Sequence, residues 1–463
     1  MSEWPVSADM LTRPGPYPEA RRDNDREKTV NAIQAWLAEH GVEYVETCVS
    51  DFAGVARGKI QPAAEIGDKP VKLPIAIFGQ TVTGTYHMRR DNARDRDMDA
   101  IPDPSTLRLV PWASQPTACI LLDCFDLDGT PVDVNPRAVL RKVVSLYAER
   151  GWTPVVAPEV EFYLLAGEDD TAGGGTPAQP DYPDPYGVDQ LHELADFFDA
   201  LKGQCEAQGI GLGAVSQELG RGQFEVNFQH GDPLRLADDV FHFKRTLKHV
   251  AAAAGMHACF LAKMRPQQPG SALHIHQSVY DESGRNIFAT ADGGDSAYFR
   301  SYIAGLQAYT REALLLAAPY SNSYRRFLSY WASPVNLEWG IDNRTVGLRV
   351  PVSAPEARRV ENRVAGADVN PYLAIAGTLA CGYLGMVNEL EPRAPVQDSA
   401  YDAPFALHRH FFEALDAFRQ SDAMREMLGE HFVRLYSATK EQEHRDLEER
   451  IPDWERDELG AIV

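Results

Sequence analysis

The sequence predicts an α+β protein in which a small α+β unit precedes a larger domain, built on an antiparallel sheet with helices over one face. Three observations lead there. Strand-like and helix-like segments interleave irregularly, without the regular alternation of a doubly wound parallel sheet. No GxGxxG or GxxxxGK[ST] loop occurs, so neither a dinucleotide fold nor a P-loop is indicated. At 463 residues the chain also exceeds one average domain.

Residues 1–27 are polar and proline-rich without periodicity, and read as a flexible arm. Val30, Ile33, Trp36 and Leu37 then fall at helical spacing, with Gly41 as a stop. VEYVETCVS, the turn DFAGVARG and the following KI form a strand hairpin. A further strand, TACILLDC, ends at the turn DLDGTP and closes the small unit near Asp128. Inside it lies a long irregular insert, RRDNARDRDMDAIPDPST. In the second part WTPVVAPEVEFYLL, GQFEVNF, LHIHQSVYD, TVGLRVP and ARRVENRV read as strands. Residues 188–208, 233–254, 298–317 and 371–388 read as long amphipathic helices. The Gly/Pro/Asp-rich stretch between Ala166 and Pro185 is too long for a simple connection and reads as a mobile loop or lid.

The charge balance, 45 basic against 67 acidic residues for a net of −22, argues against nucleic acid or anionic membranes as partners. It suits a cationic partner, or solubility alone. No run reaches the roughly 18 to 20 apolar residues of a membrane span, and the first residues lack the apolar core of a signal peptide, so a cytoplasmic protein is expected. Cysteines 48, 119, 124, 205, 259 and 381 form no CxxC pair and are expected to be free, mostly buried thiols.

The chemistry begins in PEVEFYLL, residues 158–165, where strand alternation puts Glu159 and Glu161 on one face and Val160 and Phe162 on the other. Alone, such a pair is most simply a wet polar edge. Glu225 interrupts a second apolar strand, with Glu218 seven residues earlier, and His274 and His276 share a face of GSALHIHQSVYD. Arg359, Glu361 and Arg363 alternate in sign along ARRVENRV. Either histidine by itself reads as a structural residue. Glutamates 159, 161, 218, 225 and 361 with His274 are together too many titratable groups for a core, unless divalent cations neutralise them. Oxygen-rich ligation with one imidazole suits Mg²⁺ or Mn²⁺ better than structural zinc. Arg325, Arg326, Arg344, Arg349, Arg359 and Arg363, each unremarkable alone, add the planar forks of a polyanion site.

Taken in order, the ExE of 159–161, Glu218 with QFE at 223–225, GSALHIHQS, NSYRR, NRTVGLRVP, ARRVENR and ADVNPYL resemble the glutamine synthetase family. The resemblance is closest to its γ-glutamylpolyamine and γ-glutamylamine synthetase branch, and extends from about Lys28 to the WERDEL near the end. It implies a small β-grasp-like domain over 28–128 and a catalytic domain over 129–463. It further implies an ATP-dependent ligase with two to three Mg²⁺ or Mn²⁺ ions per site. By that likeness Glu161, Glu218 and Glu225 hold the first ion, and Glu159, His274 and Glu361 the second. Arg326, Arg363, the Gly270 carbonyl and Glu161 serve substrate glutamate, while His276, Ser278, Arg344 and Arg359 serve the nucleotide. Arg344 and Arg349 are the implied catalytic arginines, stabilising the phosphoryl group in transfer. Two stacked hexameric rings and a place in nitrogen metabolism and polyamine catabolism are implied too.

Three departures bear on the nucleophile and the nucleotide. Ammonia-using members carry a DGSS stretch where this chain has FGQTVTGT, residues 78–85, and a flap glutamate where it has Ala332. A lysine near the nucleotide is replaced by Glu356. Loss of both acids points away from ammonium and towards an organic amine. Polyamines such as putrescine or spermidine are favoured, with monoamines or ethanolamine next, then ammonia, and a catalytically silent, nitrogen-sensing member last. Tyr330, Trp331, Ala332 and Glu338 are the candidates for choosing the amine. Tyr401 falls where some bacterial members carry an adenylylated tyrosine, and is read here as an ordinary loop residue.

Overall fold

The computed structural model describes residues 23–67, 69–85, 95–166, 184–460 and 462–463. Most of the expected arm, the first part of the expected insert and the core of the Ala166–Pro185 loop lie outside these residues. The first helix, α1 (Asp23–Glu39), starts inside the stretch expected to be arm. Its buried side is Ile33 and Leu37, two of the residues whose spacing marked it.

The small unit is a six-stranded sheet made of β1 (Tyr44–Ser50), β2 (Ala56–Pro62), β3 (Val71–Pro74), β4 (Asp97–Pro102), β5 (Arg108–Leu109) and β6 (Thr117–Phe125). The order is β2-β1-β6-β4-β3, with β5 beside β6, and only the β1–β6 pair is parallel. A third of the supposed irregular insert is therefore strand. DMDAIP escapes notice because it alternates acidic and apolar residues and ends in proline, yet Met98 and Ala100 are fully buried. Along β6 the side chains divide by parity. Ala118 and Ile120 pack under α1, while Cys119 and Leu121 join the main core shared with the rest of the chain. All six cysteines are free and buried, as expected.

The larger part opens with α2 (Pro136–Ala148), then runs through β7 (Thr153–Ala166), α3 (Val188–Glu193), α4 (Ala195–Ala207), β8 (Leu212–Gln217), β9 (Gln223–Phe228) and α5 (Pro233–Ala253). It continues with β10 (Met256–Cys259), β11 (Leu273–Tyr280), α6 (Ala297–Ala317), α7 (Ser321–Tyr324), β12 (Trp339–Ile341), β13 (Leu348–Val350), β14 (Val360–Asn362) and α8 (Pro371–Val387). Three further helices, α9 (Phe411–Gln420), α10 (Asp422–Leu428) and α11 (Glu430–Glu448), complete it. The eight strands order as β12-β13-β14-β11-β7-β9-β8, with β10 also on β7. All pairs are antiparallel except β12 with β13. The single helix expected over 188–208 is two helices, because Leu194 leaves helical geometry (φ −106°, ψ 20°).

The face of this sheet carrying Val160 and Phe162 is covered by helices: Phe162 meets Phe243 of α5 at 6.3 Å between ring centroids. Behind it α6 and α8 cross backbone against backbone. A Cβ on Gly385 would lie 2.1 Å from the Ser301 carbonyl and 2.6 Å from the Gly305 Cα, so that crossing admits only glycine. Two polar joints tie the small sheet to the larger part. Arg137 forks onto Asp238 (3.1 and 3.1 Å) and reaches Asp123 (2.9 Å) and Asp103 (2.9 Å). Asn370 accepts from the amides of Tyr372 and Leu373 to cap α8, and donates to Ser50 Oγ (3.1 Å) and the Asp51 carbonyl (2.7 Å).

Candidate active site

Helices bury one face of β7, so its odd-numbered side chains are left on the other, where β9 and β11 flank them. Glu161 stands opposite Glu225 of β9, Glu159 opposite His274 of β11, and His276 opposite Glu361 of β14. Four neighbouring strands thereby present their acids and imidazoles to one space. Ligand atoms of Glu159, Glu225 and His274 come within 4.8 Å of one another, as do those of Glu159, His276 and Glu361. Glu159 is common to both groups. The first gathers Glu225, implied for the first ion, with Glu159 and His274, implied for the second, and the second group brings in His276, a residue implied for the nucleotide. The tightest clusters thus cut across the partition that the resemblance implies.

Electrostatics separate the acids into two kinds. Burial would raise the Glu159 carboxyl, but hydrogen bonds with His274 and His276, the latter at 3.0 Å, hold it well below its ordinary range. Burial of Glu361 is likewise outweighed by Arg363, which lowers its pKa to about 2, and Arg349 adds a 2.9 Å bond. On the β9 side Arg326 and Arg363 act on Glu161, and Arg344 and Arg363 on Glu218, without forming ion pairs among the described residues, and burial and crowding prevail. Burial, then Glu218, pushes Glu161 up to about 8. Burial, then Glu159, Glu161 and Glu218, pushes Glu225 up to about 9. Glu218 is raised mainly by burial. His274 is lowered to about 4 by burial and then Arg363, leaving it neutral and ready to act as a ligand. A donor set of crowded carboxylates with a neutral imidazole fits Mg²⁺ or Mn²⁺ by its chemistry.

Polar groups around the cluster look towards a ligand. Among the described residues, Ser278 Oγ and the Nε groups of Arg349 and Arg363 are buried with no hydrogen-bond partner. Arg326, 4 % exposed, is held by the carbonyls of Val364 (2.9 Å) and Arg363 (2.8 Å), and burial lowers it to about 10. Its methylenes lie so close to Gly270 that a Cβ there would sit 2.6 Å from Arg326 Cγ. Arg359 donates to His276 Nδ1 at 3.3 Å. Arg344 is exposed and near enough to Glu218 to stabilise its charge. Glu356 is exposed at the surface, where only its carbonyl is used, by Tyr280 and Asn286.

Of the residues expected to choose the amine, three share one turn. Trp331 and Ala332 both adopt left-handed backbone (φ 59° and 52°), a cost of about 1 to 2 kcal/mol each for L residues. Arg363 holds the turn through the Ala332 carbonyl (3.3 Å), and Tyr330 and Trp331 stack edge-on at 6.0 Å with both rings part-exposed. Glu338 stands apart from them. Arg393 grips its carboxylate through both oxygens (3.1 and 3.2 Å), so that charge is already spent. The Tyr401 hydroxyl is buried near the Ser333 amide, Arg363 and Arg326.

Sequence reasoning passed over several residues. Asn227 donates to Glu225 (3.1 Å), Asp342 accepts from Arg349 (3.0 Å), and Gln223 reaches Glu161 (3.3 Å). The period-2 spacing of Gln223, Glu225 and Asn227 was the signal available.

The sequence profile of the glutamine synthetase catalytic domain matches residues 133–459. The γ-glutamylputrescine synthetase of Escherichia coli (strain K12) is 34% identical over 429 residues, covering 89% of this chain and 90% of that protein. A glutamate–isopropylamine ligase from a Pseudomonas species is 33% identical over 451 residues, covering 93% and 98%. The solved structure of ligand-free GmaS superposes with a TM-score of 0.82 at 27% identity, over 92% of this chain and 98% of that one. With the acid-lined sheet face, these matches establish that the chain belongs to the glutamine synthetase family.

Proposed function

We propose that the protein is an ATP-dependent ligase joining the γ-carboxylate of glutamate to an organic amine, with a polyamine such as putrescine or spermidine as the favoured amine. The observation that carries this reading is the carboxylate set Glu161, Glu218 and Glu225, which burial and crowding raise and no ion pair among the described residues meets, beside Glu159, His274 and Glu361. These residues would hold the divalent ions. When bound, such ions neutralise the carboxylates and polarise phosphoryl oxygens.

The chain's own residues divide the remaining work. A free carboxylate does not acylate an amine in water, because oxide is too poor a leaving group. Activation by the γ-phosphate of ATP gives a γ-glutamyl phosphate, from which phosphate can depart. Arg326 and Arg363 orient the glutamate, with the Gly270 carbonyl and Glu161 on its amino side. His276, Ser278 and Arg359 line the nucleotide side, and Arg344 and Arg349 offset charge on the phosphoryl group. Amine selection falls to the Tyr330–Ala332 turn, where a short side chain at Ala332 leaves room for a substituted amine. The relatives named for putrescine and isopropylamine support that class of nucleophile. Assembly into two hexameric rings and a cytoplasmic location belong to the same proposal; no helix among the described residues is long and apolar enough to cross a membrane.

A second reading, a small alkyl monoamine, is favoured by one observation. Arg393 occupies Glu338, which removes that carboxylate as a partner for the distal ammonium of a polyamine. One experiment tests both readings: ATP-dependent phosphate release with glutamate against ammonia, monoamines, ethanolamine, diamines and polyamines. Release with organic amines supports the ligase, and the preferred chain decides the substrate. No release with any amine would leave the silent family member as the conclusion.

A further inference from the structure

Gln223 begins β9 and is 1 % exposed, yet none of the roles argued above needs it. Its amide orientation is fixed, because Oε1 accepts the Gly220 amide at 3.0 Å. The Nε2 group therefore points the other way, to the Gly270 carbonyl (3.0 Å), Glu161 Oε2 (3.3 Å) and Ser271 Oγ (3.4 Å). Its backbone closes the β8–β9 hairpin: the Glu218 amide donates to the Gln223 carbonyl at 2.9 Å, and the Gln223 amide to Gly220 at 2.9 Å. One residue thus ties together Glu218, Glu161 and the Gly270 carbonyl.

We propose that the Gln223 side chain is a positioning residue that fixes the Gly270 carbonyl against the Glu161 carboxylate, so that glutamate's amino group and the ion beside it are set at one spacing. This rests on the reading of the site as one for glutamate and a divalent ion. A carbonyl oxygen has two lone pairs. Gln223 engages the one at Gly270, which orients the peptide plane and leaves the other for an ammonium donor. Glu161 is oriented in the same way, by Gln223 on one side and the Ala272 amide (2.7 Å) on the other. Gly270 cannot be replaced to hold this geometry, since a Cβ would lie 2.5 Å from the Ala262 carbonyl. Loss of the amide frees both groups to turn, while the hairpin, closed by backbone, persists.

The test uses Gln223→Met, similar in length but without a donor, and Gln223→Glu, which keeps the shape but turns an acceptor towards the Gly270 carbonyl. In the full-length enzyme, Gln223→Met is expected to raise the KM for glutamate about tenfold, the effect of one lost hydrogen bond. The KM values for ATP and amine should stay within about twofold, and Gln223→Glu should raise the glutamate KM at least as far. Mn²⁺ titration of the substrate-free protein should show several-fold weaker binding to the Met variant. An unchanged glutamate KM and unchanged Mn²⁺ affinity with only kcat lowered would overturn the proposal, as would failure of both variants to fold, since the side chain would then serve the hairpin alone. If the parent enzyme turns over no amine, the ligase reading fails, while the Mn²⁺ titration still decides whether Gln223 holds Glu161.

Discussion

Two buried charge clusters, one at the seam with the small sheet and one on the open sheet face, both set carboxylates among arginines and behave oppositely. At the seam, Arg137 and Arg141 meet Asp103, Asp123 and Asp238 with bonds of 2.9 to 3.1 Å, and Tyr372 donates to Asp238 at 2.6 Å. Nearly every charge there is answered by another part of the chain. On the sheet face Glu361 has two arginines in contact, whereas among the described residues Glu161, Glu218 and Glu225 are crowded and buried and form no ion pair. A closed cluster stabilises one arrangement of the chain, while an open one stores an electrostatic deficit that only a ligand removes.

The contrast can be broken at its closed end first. Arg137→Met leaves Asp238 and Asp123 buried without their fork and is expected to cost about 3 to 5 kcal/mol of stability, read from urea unfolding. Turnover per folded molecule should hold. The open end should respond the other way. Glu225→Gln and His274→Ala are expected to lower ATP turnover by roughly 10² to 10³, with the fold retained in circular dichroism. Near-normal turnover in either would sink the metal assignment.

The third prediction concerns pH. Glu161 and Glu225 have folded pKa values of about 8 and 9, above the unfolded 4.5, so the folded metal-free protein binds more protons than the unfolded chain in this range. Between about pH 6.5 and 9 their contribution to the stability of the metal-free protein should therefore be lost, opposed above about pH 7 by Lys244, whose pKa burial lowers to about 7. The lowered His274 acts only below that window. Added Mn²⁺ replaces the protons, so its increment in melting temperature should grow as pH rises. An increment that shrinks instead would show that the carboxylates are not its ligands. The smallest effect is expected at the rim. Ala332→Glu should raise the ratio of ammonia to monoamine turnover several-fold, since a carboxylate there attracts a small cation and obstructs an alkyl chain. A diamine belongs in the comparison, because the added charge would help bind its far end. An unchanged ratio would shift attention to Trp331 or residues 78–85.

Much of this was legible in the chain because strands have a period of two. Glu159 and Glu161 on one side, Val160 and Phe162 on the other, fixed both what β7 buries and what it presents. The long helices α5 and α6 were readable from their apolar spacing, whereas α8, expected to be amphipathic, is buried on every side. Lost were β3, β4, β5, β8, β10 and β12, which are short, at an edge or interrupted by polar residues, and the break at Leu194, which no proline or glycine announces. In the site, charged residues declared themselves and their amide partners did not. Gln223 and Asn227 look like any polar strand face until their hydrogen bonds are seen. That Glu338 is already taken depended on Arg393, 55 residues away in sequence, a pairing no local pattern encodes.

Asn370 limits which substitutions the seam would tolerate. Its Oδ1 must accept, to cap α8, and its Nδ2 must donate, to reach Ser50 and the Asp51 carbonyl. Aspartate would keep the cap and set a carboxylate against a carbonyl; serine or threonine would cap without the reach; alanine would lose both, and the cap alone is worth about 0.5 to 2 kcal/mol. Glutamine has both functions one methylene too far out. Of the twenty side chains only asparagine offers an acceptor and a donor side by side at that length, so a drifting sequence would have no neutral neighbour at this position.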